Sequence, residues 1–259
     1  MKNTALITGA SSGIGWELAL IHAQTGGDLV LVARSGEKLN NLKKELETAY
    51  SINVEVIVKD LSNHEAPREV YQELKQKGIE IEYLINNAGF GGYGLFHKTE
   101  WDSEAHMIDL NIRALTALTK LFLPEMVERH RGRILNIAST AAFLPGPLMA
   151  VYYATKNYVL AFSEALAEEV EGTGVTVTTL CPGPTRTGFQ RASGIENSKL
   201  VKDKKIPDGG EVAAFGYKQM IRGKRVVIPG FGNKLTDVFA RLMPRKTVTS
   251  LVKKFQETV

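Results

Sequence analysis

A chain of 259 residues with 44% hydrophobic and 23% charged content has the make-up of an ordinary globular protein, long enough for one or two domains. A formal net charge of +4 is too slight to imply nucleic acid and suits a phosphorylated small molecule equally well. The single cysteine, Cys181, excludes an internal disulfide and fits a reducing compartment, while no run of about 18 apolar residues offers a membrane span.

The N-terminal residues read as a strand, not a secretion signal. "TALITGA" (4–10) is apolar without alternation, as a strand buried on both faces is. Helical spacing follows in 13–27, with Ile14, Leu18, Ile21 and His22 in register and Gly26 and Gly27 as the stop. "DLVLVAR" (28–34) is the second strand, and 36–50 is a surface helix built on Leu39, Leu42 and Leu46. "NVEVIVKD" (53–60) is the third strand, 64–77 the third helix and "IEYLINNAG" (81–89) the fourth strand. Residues 101–130 form a long helical region with an expected interruption at Pro124. "GRILNIAS" (132–139) is the fifth strand, 151–172 another long helix, and "GVTVTTLCPG" (174–183) the sixth strand. Residues 186–206 are polar and weakly periodic, as a mobile substrate lid loop with a short helix would be. "GKRVVIPG" (223–230) is the seventh strand, and 231–257 reads as a helical extension divided at Pro244. The alternation runs without a linker or repeat, so the predicted fold is α/β: one domain over 1–259, a doubly wound parallel sheet of about seven strands with helices on both faces. The five histidines are scattered, and no metal site is expected.

The segment "TGASSGIG" (8–15) lies between the first strand and the first helix. Gly9, Gly13 and Gly15 meet three needs: a tight turn, close backbone approach to an anion, and close helix–strand contact. The helix start adds free N–H groups and a positive dipole end. Within a βαβ unit this is a Rossmann-type dinucleotide site, with Ser11, Ser12 and Ile14 in the same turn. Its spacing, G-x-x-x-G-x-G, differs from the commoner G-x-G-x-x-G.

Together with "NNAG" (86–89), Ser139 and "YYATK" (152–156), this turn resembles the classical short-chain dehydrogenase/reductase family over roughly residues 3–187. The tail beyond 187 is poorly constrained by the resemblance. The second strand ends "VARSGEK" (32–38), with Ala33 where the family's NAD-type members carry Asp, and Arg34 next. A carboxylate would repel a 2′-phosphate, whereas a guanidinium binds one bidentately. Ser12, Ser35 and Lys38 could add to that grip, so NADP(H) is expected over NAD(H). The resemblance implies that Asp60, beside Leu61, bonds the adenine amino group, that Asn87 holds the adenosine ribose, and that Ala88 and Gly89 pack against the cofactor. Asn86 is expected to hold the sheet together instead. In "CPGPTRT" (181–187) the resemblance sets Pro182 and Gly183 along the nicotinamide, with Thr185 and Thr187 near its carboxamide. Cys181 reads as a small buried residue.

The two adjacent tyrosines of "AVYYATK" (150–156) pose the catalytic question. Tyr152 and Lys156 are four apart and share a helix face, but Tyr153 and Lys156 are three apart, so geometry alone does not choose. The family pattern Tyr-x-x-x-Lys selects Tyr152, and Ser139 precedes it by the family's usual thirteen residues. The implied reaction is hydride transfer between nicotinamide and a carbonyl or alcohol carbon. Tyr152 would be the general acid or base, and Ser139 would orient the carbonyl. Lys156, together with the positive nicotinamide ring of the oxidised complex, would lower a phenol pKa ordinarily about 10, and it would also hold the nicotinamide ribose. Asn111, in "DLNIRAL" (109–115), matches the family asparagine that holds a water leading to the lysine.

The substrate pocket is expected from 89–94, 140–150 and 186–206, where Phe90, Tyr93, Phe143, Leu144, Leu148, Met149 and Phe189 would make it apolar. That suits a hydrophobic ketone, a steroid-like ring or an acyl chain. Leu235, Val238, Phe239 and Leu242 share one helical face of the extension, and Val248, Leu251, Val252 and Phe255 another, flanked by Lys and Arg. Packing over the pocket or against a second subunit is favoured for them over contact with a membrane surface. The resemblance also implies a homodimer or homotetramer through the helices at 103–130 and 151–172. The expected protein is thus a cytoplasmic NADP(H)-dependent carbonyl reductase or alcohol dehydrogenase. The alternatives are a 3-oxoacyl thioester reductase, with Arg129, Arg131 and Arg133 as candidate carrier contacts, and a non-catalytic NADP-sensing protein, which should lack the Tyr or the Lys.

Overall fold

Strands whose side chains are apolar on both faces need cover on both sides, and the computed structural model supplies it. It describes residues 2–195, 198–199 and 206–257. Strands β1 (Ala5–Thr8), β2 (Leu29–Ala33), β3 (Val54–Val58), β4 (Tyr83–Asn86), β5 (Gly132–Ile137), β6 (Val175–Leu180) and β7 (Val226–Val227) form one sheet in the order β3-β2-β1-β4-β5-β6-β7. Every pairing is parallel. Buried positions on one face pack against α1 (Gly13–Gln24), α2 (Gly36–Tyr50) and α8 (Gly209–Ile221). On the other face lie α3 (Ala66–Gln76), α5 (Leu115–Glu128) and α6 (Ala150–Glu169). Adjacent strand residues therefore serve opposite layers: Leu6 faces the second layer, while Ala5 and Ile7 face the first.

The strand order reverses between β1 and β4. In an open parallel sheet the crevice at such a reversal, beyond the carboxyl ends of the strands, is where ligands bind. The glycine turn leaves β1 there, and "NNAG" leaves β4 beside it.

Helix α4 (Trp101–Ile108) runs into α5 through a wider π-helical turn over Asp109–Ala114. The predicted interruption at Pro124 does not occur: α5 passes through it. Phe122 and Met126, on either side, are buried against the sheet and hold the helix across the missing N–H. The break in regularity sits at Asn111 instead. The remaining elements are α7 (Phe189–Ala192), α9 (Phe231–Leu242) and α10 (Arg245–Gln256), the last two parted at Pro244 as expected. Of the proposed 186–206 lid, 196–197 and 200–205 lie outside the described residues. Among the described residues, no helix is long and apolar enough to cross a membrane.

Candidate active site

Three glycines shape the turn after β1. Gly9 (φ +67°) and Gly13 (φ +57°) occupy the left-handed region. A Cβ on Gly9 would lie 2.9 Å from Ala88 Cα, and one on Gly15 would overlap Asn87 Nδ2 and the Gly9 carbonyl. Thr187, from the loop after β6, rests on Gly13, where a Cβ would lie 3.2 Å from its own. Ser12 caps α1 in position only, since its side chain makes no cap bond. The first-turn N–H groups thus keep their donors for an incoming acceptor. A cradle that any Cβ would fill, at a helix start with uncommitted donors, fits a pyrophosphate.

The second wall of this cradle is tied to the first. Thr8 Oγ1 accepts from the backbone N–H groups of Asn87 (3.0 Å) and Ala88 (2.9 Å). Asn87 Nδ2 donates to Thr8 O at 2.9 Å and to Gly9 O at 3.2 Å. Both amide protons are thereby committed to the turn, leaving Oδ1 as the atom able to face a ribose. Asn86 behaves as expected for a sheet residue, with Nδ2 donating to Thr119 Oγ1 and Asn136 Oδ1. At the outer end, Arg34 stands 3.8 Å from Asp60 with its side chain 79% exposed. Burial alone would raise the Asp60 carboxyl, but two hydrogen bonds from Ser62 and the charge of Arg34 outweigh it and hold the group below its usual range. Leu61, beside it, is buried.

Ser139, Tyr152 and Lys156 converge at the ends of β5 and β6. Ser139 caps the short 3₁₀ turn Thr140–Phe143, where its Oγ accepts from Ala141 N at 3.1 Å. The same hydroxyl can donate to Pro182 O at 3.3 Å, and it favours the charged form of the Tyr152 phenol nearby. Lys156 Nζ lies 5.9 Å from the Tyr152 ring centroid and donates to Ile137 O at 2.8 Å. A Cβ on Gly89 would stand 3.5 Å from that Nζ and 2.9 Å from Asn111 Oδ1, so the "NNAG" corner adjoins the lysine. Asn111 accepts from Phe90 N at 3.1 Å and donates to Phe90 O at 2.9 Å and Thr155 Oγ1 at 3.0 Å. The π-helical turn aims this amide across the gap between helix and corner.

In the protein alone, burial pushes the Tyr152 phenol well above its ordinary range, and Ser139 opposes this only in part. Burial also pushes Lys156 down to about 8. Each group is disfavoured in its charged form, so the lysine does not by itself make this phenol acidic. Tyr153 points elsewhere: its hydroxyl accepts from Gln256 Nε2 at 2.6 Å, and burial raises it to about 12.

Of the predicted pocket residues, Phe90, Tyr93, Leu144, Met149 and Phe189 join one apolar cluster around Tyr152. Phe143 does not: the 3₁₀ turn carries it to a separate cluster with Val159, Leu160 and Cys181. Leu148 is held in the left-handed region (φ +69°) and belongs to neither cluster. Val248 and Val252 of α10 enter the Tyr152 cluster, and Tyr93 donates its hydroxyl to Gln256 O at 2.9 Å. Thr185 Oγ1 donates to Gly183 O at 2.9 Å, and Gly183 is so close to Asn233 of α9 that a Cβ would lie 2.5 Å from Oδ1. Thr8, Thr155, Asn233 and Gln256 were not predicted. Thr8 and Thr155 carried a signal, since each lies within a recognised motif.

Residues 3–197 match the family described as short chain dehydrogenase, and the chain belongs to it. It is therefore an oxidoreductase on an NAD(P)-binding fold. Human very-long-chain 3-oxoacyl-CoA reductase is 36% identical over 184 residues, which cover 69% of this chain and 58% of that relative's length. The short-chain dehydrogenase from Sphingobium yanoikuyae in complex with NADPH is 34% identical with a TM-score of 0.82, covering 88% of each chain. The bulky-bulky ketone specific alcohol dehydrogenase from Comamonas testosteroni is 31% identical with a TM-score of 0.79, covering 93% of each.

Proposed function

We propose that this protein is an NADP(H)-dependent reductase of hydrophobic carbonyl compounds. The observation that carries this is the meeting of Ser139, Tyr152 and Lys156 beside Gly89, inside an apolar cluster and next to the glycine turn. When bound, the dinucleotide supplies the hydride. Gly9, Ser11, Ser12, Gly13, Ile14 and Gly15 would hold its pyrophosphate, and Arg34 its 2′-phosphate. Asp60, Leu61, Asn87 Oδ1, Ala88 and Gly89 would hold its adenosine side, with Pro182, Gly183, Thr185 and Thr187 along the nicotinamide. Ser139 would fix the substrate oxygen, and Tyr152 would give it a proton. A phenol kept protonated by burial is in the donor form at neutral pH, as proton delivery in the reductive direction requires. Lys156 would orient the ribose and lend positive charge as the phenol loses its proton. Asn111 would keep the Phe90 corner at a fixed distance from the lysine.

The relative named as a very-long-chain 3-oxoacyl-CoA reductase favours a second substrate class, an acyl thioester whose chain enters the cluster around Phe189 and Val252. A ketone panel beside 3-oxoacyl thioesters separates the two. We further propose a single functional unit, with 186–206 as its lid, and subunit contact through α4, α5 and α6. Tyr152→Phe is the test of the chemistry. It should bind NADPH as the wild type does and lose roughly 10²–10⁴-fold in turnover. Retained turnover would remove Tyr152 from the reaction, and NADPH binding without any turnover of the panel by the wild type would point to a sensor.

A further inference from the structure

The end of the chain carries a surface that the reaction does not need. Among the described residues, thirteen large apolar side chains are exposed, and seven of them belong to α9 and α10. Phe231, Leu235, Val238, Phe239 and Leu242 are 79%, 40%, 49%, 57% and 77% exposed. Their spacing puts them on one face of α9. The opposite face is anchored: Asn233 Nδ2 donates to Pro229 O at 2.7 Å and its side chain lies against Gly183. The helix cannot turn its apolar face inward without breaking that attachment. Helix α10 is anchored too, through buried Val248, Val252 and Gln256, and leaves Leu251 and Phe255 outward.

Charge identifies the partner. Residues 231–257 hold six Lys and Arg against two Asp and Glu, a net of +4, which equals the net charge of the whole chain. The other residues are neutral on balance, so the entire excess falls within this segment of the sequence. Lys234 on α9 and Lys246 and Lys254 on α10 are exposed. We infer that α9 and α10 form a surface that lies on an anionic lipid bilayer, with the α9 apolar face in the headgroup region and the basic residues on lipid phosphates.

A second copy of the chain fits less well. A two-fold contact sets a patch against itself, and here that would bring basic residues onto basic residues. The area is also short: twelve residues give a helix about 18 Å long and 10 Å wide, roughly 200 Å², against about 800 Å² per partner for a stable pair. A second exposed apolar group, Leu95, Phe96 and Trp101, follows closely on Tyr93, whose hydroxyl is bonded to Gln256 O at the end of α10. Of these, Trp101 is the kind of side chain that suits a lipid–water boundary.

The test is co-sedimentation of the full chain with vesicles of phosphatidylcholine and phosphatidylglycerol in equal parts, beside pure phosphatidylcholine, read without substrate. The wild type should pellet with the anionic vesicles, far less with the neutral ones, and less at high salt. The double variant Phe239→Glu, Leu242→Glu should lose more than roughly tenfold in partitioning while keeping its melting temperature and NADPH affinity. Lys234→Glu, which leaves the apolar face intact, should lose roughly fivefold or more. Wild-type protein that stays in the supernatant overturns the inference. So does partitioning unchanged in both variants. A wild type that binds no vesicles and elutes larger than the double variant would also overturn it, assigning the face to contact between copies.

Discussion

Replacing Lys156 by Met should change how stability depends on pH, and the size of the change follows from its burial. The ordinary lysine value of 10.5 applies to the unfolded chain, and the native ammonium is pushed down to about 8. Below pH 8 both states carry the proton and this group gives no slope. Between 8 and 10.5 the unfolded state binds the extra proton, so unfolding free energy rises with pH. A gap of 2.5 units at 1.36 kcal/mol per unit is about 3 kcal/mol. The variant lacks this gain. Urea unfolding of both proteins across that window should therefore show the wild type improving relative to Lys156→Met by roughly that amount. Groups distant from Lys156 cancel in the difference, Tyr152 is raised and titrates above this window, and the lost bond to Ile137 O shifts the variant by a constant offset. A difference that is flat or narrows in the other direction would refute the reasoning, and would mean that the native ammonium is better solvated than its burial implies.

The remaining predictions concern the cradle. Gly15→Ala forces a methyl onto Asn87 Nδ2 and the Gly9 carbonyl, so overpacking and two compromised hydrogen bonds should together cost about 2–5 kcal/mol, seen as a clear drop in melting temperature and loss of NADPH binding. Gly188→Ala, with no neighbour within 4 Å of the added carbon, should melt within a degree or so of the wild type and serves as its control. Arg34→Asp should weaken NADPH by more than roughly tenfold and leave NADH nearly unchanged in a binding titration; equal loss for both would detach Arg34 from the 2′-phosphate.

What could be read from the sequence was what local periodicity and spacing encode. The seven strands are visible because parallel strands buried on both faces are apolar runs, and the order Gly9, Asn87, Ser139, Tyr152, Lys156 survives without any knowledge of contacts. What could not be read depends on partners distant in the chain. The π-helical turn at Asn111 is held by Phe90 and Thr155, so no local pattern announces it, whereas Pro124 announces a break that Phe122 and Met126 override. Phe143 is aromatic in the expected stretch, yet the cap at Ser139 turns it into another cluster. The lysine–tyrosine pair shows the same limit: proximity is legible in a four-residue spacing, but the depth of burial that shifts both groups in the protein alone is not. The tail's contribution through Val248, Val252 and Gln256 lies beyond the last recognisable motif.

The bonds that lash Asn87 to Thr8 and Gly9 have a practical bearing on engineering. A nucleotide loop exchanged between homologues would arrive without its brace, because the side chain that ties it down sits at the end of a different strand, 78 positions away. Swaps intended to alter coenzyme choice should carry Thr8 and the 86–89 corner along with the glycines, or else confine themselves to the exposed side chain of Arg34, which is tied to the fold by a 3.8 Å ion pair with Asp60.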